Sequence, residues 1–71
     1  MKIFLVCDYD GSVIDVLVRS SFERAYEDSV GKNYGEFLVQ LDREALRLIR
    51  ERVPERVLKR LVRYITLDVN R

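Results

Sequence analysis

Lys2-Ile-Phe-Leu-Val-Cys-Asp-Tyr-Asp-Gly-Ser-Val-Ile-Asp-Val-Leu-Val-Arg19 decides how this chain folds, because it sets two apolar runs on either side of a turn pair. Ile3 to Cys7 and Val13 to Val18 read as strands, and Asp10-Gly11 suits a tight type I′ turn because both positions tolerate positive φ. A two-residue loop at that point predicts an antiparallel hairpin pairing Tyr9 with Ser12, Cys7 with Ile14, Leu5 with Val16 and Ile3 with Val18. These pairs share one nearly apolar face. On the opposite face Phe4 falls beside Leu17 and Val6 beside Asp15, with Val13 on the same side. That mixed surface is consistent with partial solvation, with cover from the carboxy-terminal helix, or with cover from a partner.

Outward from the hairpin, Ser20-Ser-Phe-Glu23 reads as a capping box with Ser20 as N-cap. Phe22, Ala25, Tyr26 and Val30 then form the apolar stripe of a short helix ending at Gly31 as its C′ residue. Residues 36–41 read as a third strand with Phe37, Val39 and Leu41 on one face, or as the lead-in to the next helix. From Asp42, a good N-cap, the pattern is helical to about Thr66, interrupted at Pro54, which lacks the N–H and crowds Val53. Ala45, Leu46, Leu48, Ile49 and Val53 form one stripe, and Val57, Leu58, Leu61, Val62 and Ile65 form another, rotated by roughly 130° at the helical period. A straight helix could not bury both against one sheet. Pro54 as the first residue of a second helix lets each segment bury its own face. The expected architecture is α+β: an amino-terminal antiparallel β-hairpin, a short helix, a third strand, then two consecutive amphipathic helices broken at Pro54 and packed on the sheet.

With 71 residues, the chain is expected to form a single domain over residues 1–71, near the size at which one core suffices without disulfides or metal. Cys7 is its one cysteine, and with no His a zinc site is excluded. The apolar run after Met1-Lys2, about five residues long, is too short for a membrane span or a signal segment, which makes a cytoplasmic location the expectation. Arg outnumbers Lys, charged residues make up 35% of the chain, and the loops are short, a combination typical of heat-adapted proteins. The net charge of +1 conceals an asymmetry: residues 1–42 hold eight acids against four bases, and residues 43–71 hold nine bases against four acids. Such a division suggests an anionic partner or self-association.

The stretch Asp8-Tyr-Asp10-Gly11-Ser12-Val-Ile-Asp15 resembles the first signature of the haloacid dehalogenase superfamily, in which a buried strand ends in Asp-x-Asp-Gly-Thr or a close variant. The resemblance implies a phosphatase with Asp8 as nucleophile, Asp10 as general acid and base, and Mg²⁺ held by both carboxylates. It covers about ten residues, and the family's other groups have no matching positions. Thr66 and Lys59 stand in or beside the last helix, Asp68 has no acidic neighbour, and residues 12–19 continue as a strand where the family has a loop and flap. Asp8, Asp10 and Asp15 alone also supply too few oxygen donors for a cation site. The reading adopted is therefore a hairpin turn, with no catalytic residue, no metal and no cofactor.

The arginine-rich segments offer the stronger functional signal. Arg43, Arg47 and Arg50 lie opposite the first helical stripe, and Arg56, Lys59, Arg60 and Arg63 lie opposite the second. These seven bases could grip phosphates, a role that suits the planar guanidinium fork. The competing reading is a solvated face balanced by Glu51 and Glu55, including an i to i+4 pair of Glu55 with Lys59. The expectation is a small non-enzymatic binding protein that contacts nucleic acid or an acidic protein through this Arg-rich helical face. A homodimeric or hetero-oligomeric interaction module is the alternative, docking through the mixed hairpin face. Val53-Pro54 leaves no turn for a helix-turn-helix, and Tyr64 is the only aromatic residue in the basic half to serve as a platform for single strands.

Overall fold

The computed structural model describes residues 1–42, 47 and 53–69, the last three as backbone only. Its elements are β1 (Lys2–Cys7), β2 (Val13–Arg19), α1 (Phe22–Asp28), a 3₁₀ turn (Val30–Lys32), β3 (Phe37–Gln40) and α2 (Glu55–Val69). The strands form one antiparallel sheet in the order β2-β1-β3. The expected α+β class and the third strand are both present. β1 is the central strand, and its uninterrupted apolar run suits a strand covered on both faces.

The turn differs from the expected type I′ pair. Gly11 N–H donates to the Asp8 carbonyl (2.9 Å) and Asp8 N–H to the Ser12 carbonyl (2.8 Å), so Tyr9, Asp10 and Gly11 form a three-residue loop. Only Gly11 is left-handed, at φ 88°, while the Asp10 carboxylate accepts the Ser12 N–H at 2.9 Å. A type I turn followed by a left-handed residue is the usual way to build a loop of this length. The longer loop slips the register by one residue, and Cys7 pairs with Val13 instead of Ile14. A β-bulge at Ile14 then slips it back, so Val6↔Asp15, Phe4↔Leu17, Leu5↔Val16 and Ile3↔Val18 pair as expected. The bulge also moves Val13 onto the face of Leu5 and Cys7, where it is buried.

Among the described residues, α2 packs on one face of the sheet and α1 on the other. Leu5, Cys7, Val13 and Val16 pack with Val53, Val57 and Leu61, flanked by Ile3, Val39, Leu41, Leu58, Tyr64 and Ile65. Phe4 and Val6 point the other way and are also fully buried. Phe22 of α1 meets Phe4 edge-on with centroids 6.1 Å apart, and Gly35 lies against Val6. α1, not the carboxy-terminal helix, lies over Phe4 on this face.

α1 begins one residue later than expected. Ser21, not Ser20, is the N-cap, and its hydroxyl accepts the Arg24 N–H. Of the expected stripe only Ala25 is fully buried; Phe22 and Tyr26 stack on each other half-exposed. Gly31 is not the left-handed stop, since it lies inside the 3₁₀ turn and Asn33 takes the left-handed conformation at φ 58°. Asn is among the few residues that adopt it at low cost. Buried Ser29 holds this corner: its hydroxyl donates to the Ala25 carbonyl at 2.7 Å, and its own carbonyl accepts the N–H groups of Lys32 (3.1 Å) and Tyr34 (2.8 Å).

Asp28 ties α1 to the end of β2 through Arg19 Nε at 2.7 Å, with Lys32 Nζ at 3.9 Å. The Arg19 hydrogen bond, ahead of the nearby positive charges, holds the Asp28 carboxyl below its ordinary pKa. A carboxylate depressed in the folded state contributes stability at pH values above its unfolded pKa and loses that contribution as pH falls through the folded one. The urea midpoint is therefore expected to fall between about pH 5 and about pH 2, and to fall less in Asp28→Asn. An equal fall in both proteins would remove this pair from the acid response.

Pro54 stands just outside α2. Its carbonyl accepts the N–H groups of Val57 (3.0 Å) and Leu58 (2.8 Å), which makes it the N-cap, one position earlier than expected. Val57 and Leu61 of the expected stripe are buried, but Val62 is 54% exposed and Tyr64 packs against the core in its place. The helix expected from Asp42 to Val53, and with it the break at Pro54, falls largely outside the described residues. Within that span Arg47 is helical and exposed, and Val53 is buried.

Candidate anion-binding face and adjoining cleft

α2 sorts its side chains by the helical period. With Val57 and Leu61 directed into the core, Arg56, Lys59, Arg60 and Arg63 fall on the opposite, exposed side. The four are not equivalent. Lys59 lies 3.9 Å from Glu55, and both side chains are more than three-quarters exposed, so the pair is screened and weak. Arg56 and Arg63 have no carboxylate partner among the described residues. Arg47 is also exposed; Arg43 and Arg50 lie outside the described residues.

Arg60 has a structural role. Its Nη1 donates to Asp15 Oδ1 at 2.6 Å and its Nη2 reaches the Val16 carbonyl at 3.4 Å, so the side chain crosses the outer edge of β2. Covering an edge carbonyl with a cation also blocks strand-to-strand association there. The Tyr64 hydrogen bond and, next, the Asp15 charge raise the guanidinium pKa beyond its already high ordinary value. Asp15 is only 14% exposed in its side chain. Besides Arg60, its carboxylate accepts the Val16 N–H (2.7 Å) and lies near the Tyr34 hydroxyl. Hydrogen bonding to Asp15, with the Asp15 charge second, raises the Tyr34 pKa above its ordinary value.

Tyr34 was not legible as a site residue. It sits in the acidic half of the chain, yet it borders a cleft of about 270 Å³ together with Ile14, Asp15, Arg56, Val57 and Arg60. Its lining mixes the apolar Ile14 and Val57, the Tyr34 ring, two arginines and the Asp15 carboxylate. A second hollow of about 280 Å³ lies on the other side of Ile14 and Tyr34 and carries Asp8, Asn33 and Glu36. The second hollow is thus lined by two carboxylates and no base, and the first by two arginines and one carboxylate.

Asp8 and Asp10, the residues of the dehalogenase-like signature, lie at an antiparallel hairpin turn. Asp8 accepts its neighbour Tyr9 N–H at 2.9 Å. The resemblance implies a parallel strand end at this point, which the hairpin replaces. Among the described residues no three His, Cys, Asp or Glu side chains converge on a point that could hold a metal ion. Cys7 is buried, its thiol pKa raised by desolvation. Also among the described residues, no helix is long and apolar enough to cross a membrane. Comparison with family models, with curated proteins and with solved structures found no match to this chain.

Proposed function

We propose that the protein is a small non-enzymatic binding module that holds an anionic partner, nucleic acid before an acidic protein, on the exposed basic side of α2. One observation carries this reading: burial of Val57 and Leu61 turns Arg56, Lys59 and Arg63 outward together, and among the described residues Glu55 is the one acid paired with any of them. Arg60 is excluded from the contact set because Asp15 already occupies it. The surplus of positive charge after residue 42 supports the same reading, since a one-signed surface draws phosphates and accelerates encounter.

Neutralising phosphates releases counterions, so affinity should fall with salt at a log–log slope of about −0.9 per phosphate on duplex DNA and about −0.7 on single strands. Three contacts give an expected slope of roughly −2 to −3. Fluorescence anisotropy with labelled oligonucleotides between low and physiological salt measures it. The double substitution Arg56→Ala with Arg63→Ala is expected to weaken binding to every sequence alike and to flatten the slope by about two contacts' worth. Absence of binding to DNA and RNA even at the lowest salt sinks the proposal.

A further inference from the structure

Resting on that reading, we infer that the partner is single-stranded nucleic acid, one base of which stacks on Tyr34 above Ile14 and Val57 while its flanking phosphates meet Arg56 and the outer face of α2. An anionic surface alone would match any polyanion; the cleft adds requirements that only some polyanions meet. Ile14, Val57 and Tyr34 in its lining suit a flat, unpaired ring, and Arg56, the arginine there that no carboxylate holds among the described residues, suits a phosphate attached to that ring. A base in an intact duplex has its faces already stacked, so only an unpaired one can present a face to the tyrosine.

Tyr34 is well prepared for such a role. The residue is 52% exposed, while its backbone is tied down. The Tyr34 N–H bonds the carbonyl of buried Ser29, Gly35 is wedged against Val6, and the Glu36 N–H donates to the Cys7 carbonyl at 2.9 Å. Its hydroxyl lies near Asp15, which Arg60 grips. A ring fixed in this way loses little conformational entropy when a base settles on it. Asp8 and Glu36 beyond the ring repel phosphate from the hairpin side, which leaves the α2 side as the path for the strand.

The test uses the unmodified protein with three labelled probes of equal length: a single strand of thymidines, the same backbone without bases, and a duplex. The base-bearing strand is expected to bind about tenfold more tightly than the abasic one, within the range found for one stacked base, and more tightly than the duplex at matched salt. The chain has no tryptophan, so quenching of its tyrosine emission by thymidines and not by the abasic strand supplies a second readout. Tyr34→Leu should bring the base-bearing strand down to the abasic affinity, and Tyr34→Phe should retain most of the difference. Equal binding of abasic and base-bearing strands, or tighter binding of the duplex, overturns this inference and leaves the anion-binding proposal standing. Failure of all three probes to bind overturns both.

Discussion

Leu61→Ala is expected to lower the free energy of unfolding by about 3 kcal/mol, within the range for truncating a buried leucine. Leu61 is fully buried where α2 meets Leu5, Val16 and the rest of the core, so the lost methyl groups leave a cavity beneath the helix. A domain of this length is stabilised by roughly 4–10 kcal/mol in total, which makes that loss a large fraction and corresponds to a fall in Tm of about 10–20 °C. Val62→Ala, at the next and half-exposed position, should change stability by about 0.5 kcal/mol or less. Urea unfolding followed by circular dichroism compares the two. If Leu61→Ala costs no more than Val62→Ala, α2 does not pack on the sheet through the face described. Loss of that packing would also leave the basic side of α2 without a fixed direction relative to the sheet.

Gly35→Ala is expected to destabilise by about 1–3 kcal/mol, the usual cost of forcing a methyl group into a filled interior. A Cβ at that position would lie 2.3 Å from Val6 Cγ1 and 3.4 Å from the Cys7 carbonyl oxygen. Val6 cannot swing away cheaply, since it is fully buried on the central strand and its branched side chain is stiff at χ1. The expected signature is coupling: in Val6→Ala with Gly35→Ala the combined loss should be smaller than the sum of the single losses by more than about 0.5 kcal/mol. Strict additivity would place the cost of the alanine elsewhere than in this contact. Because Gly35 follows Tyr34, the single variant should also displace the phenol from Asp15.

Much of the fold could be read from local pattern. The alternation of Phe37, Val39 and Leu41 marks β3, and Leu5 does lie opposite Val16. The turn was misread because Asp10-Gly11 serves two loop designs: a two-residue turn with both residues left-handed, or a three-residue loop with only the glycine so. The extra loop residue and the bulge at Ile14 shift the register in opposite directions, so the pairing beyond the bulge came out as expected for an incomplete reason. The cover over Phe4 and Val6 had a signal that could have been used: five successive apolar residues from Ile3 to Cys7 suit a strand buried on both faces, not one with a solvated side. Ser20 and Ser21 both suit an N-cap, and choosing between them depends on where β2 ends.

The site was legible only as a set of charges. The helical period puts Arg56, Lys59 and Arg63 on one side of α2 whatever else the chain does, because 3.6 residues per turn is a property of the backbone. Which of the basic groups remains available is another matter. Arg60 shares their stripe, yet it is consumed by a carboxylate 45 residues earlier in the chain. The same fold carries Tyr34 out of the acidic half to the edge of the basic one, providing the aromatic surface that the basic half, with Tyr64 alone, did not offer. Periodicity, capping and turn chemistry act within a few residues and can be read in order along the chain. Pairing of Asp15 with Arg60, and the approach of Tyr34 to Arg56, depend on how the two faces of one sheet are covered, and that is settled only when the whole core closes.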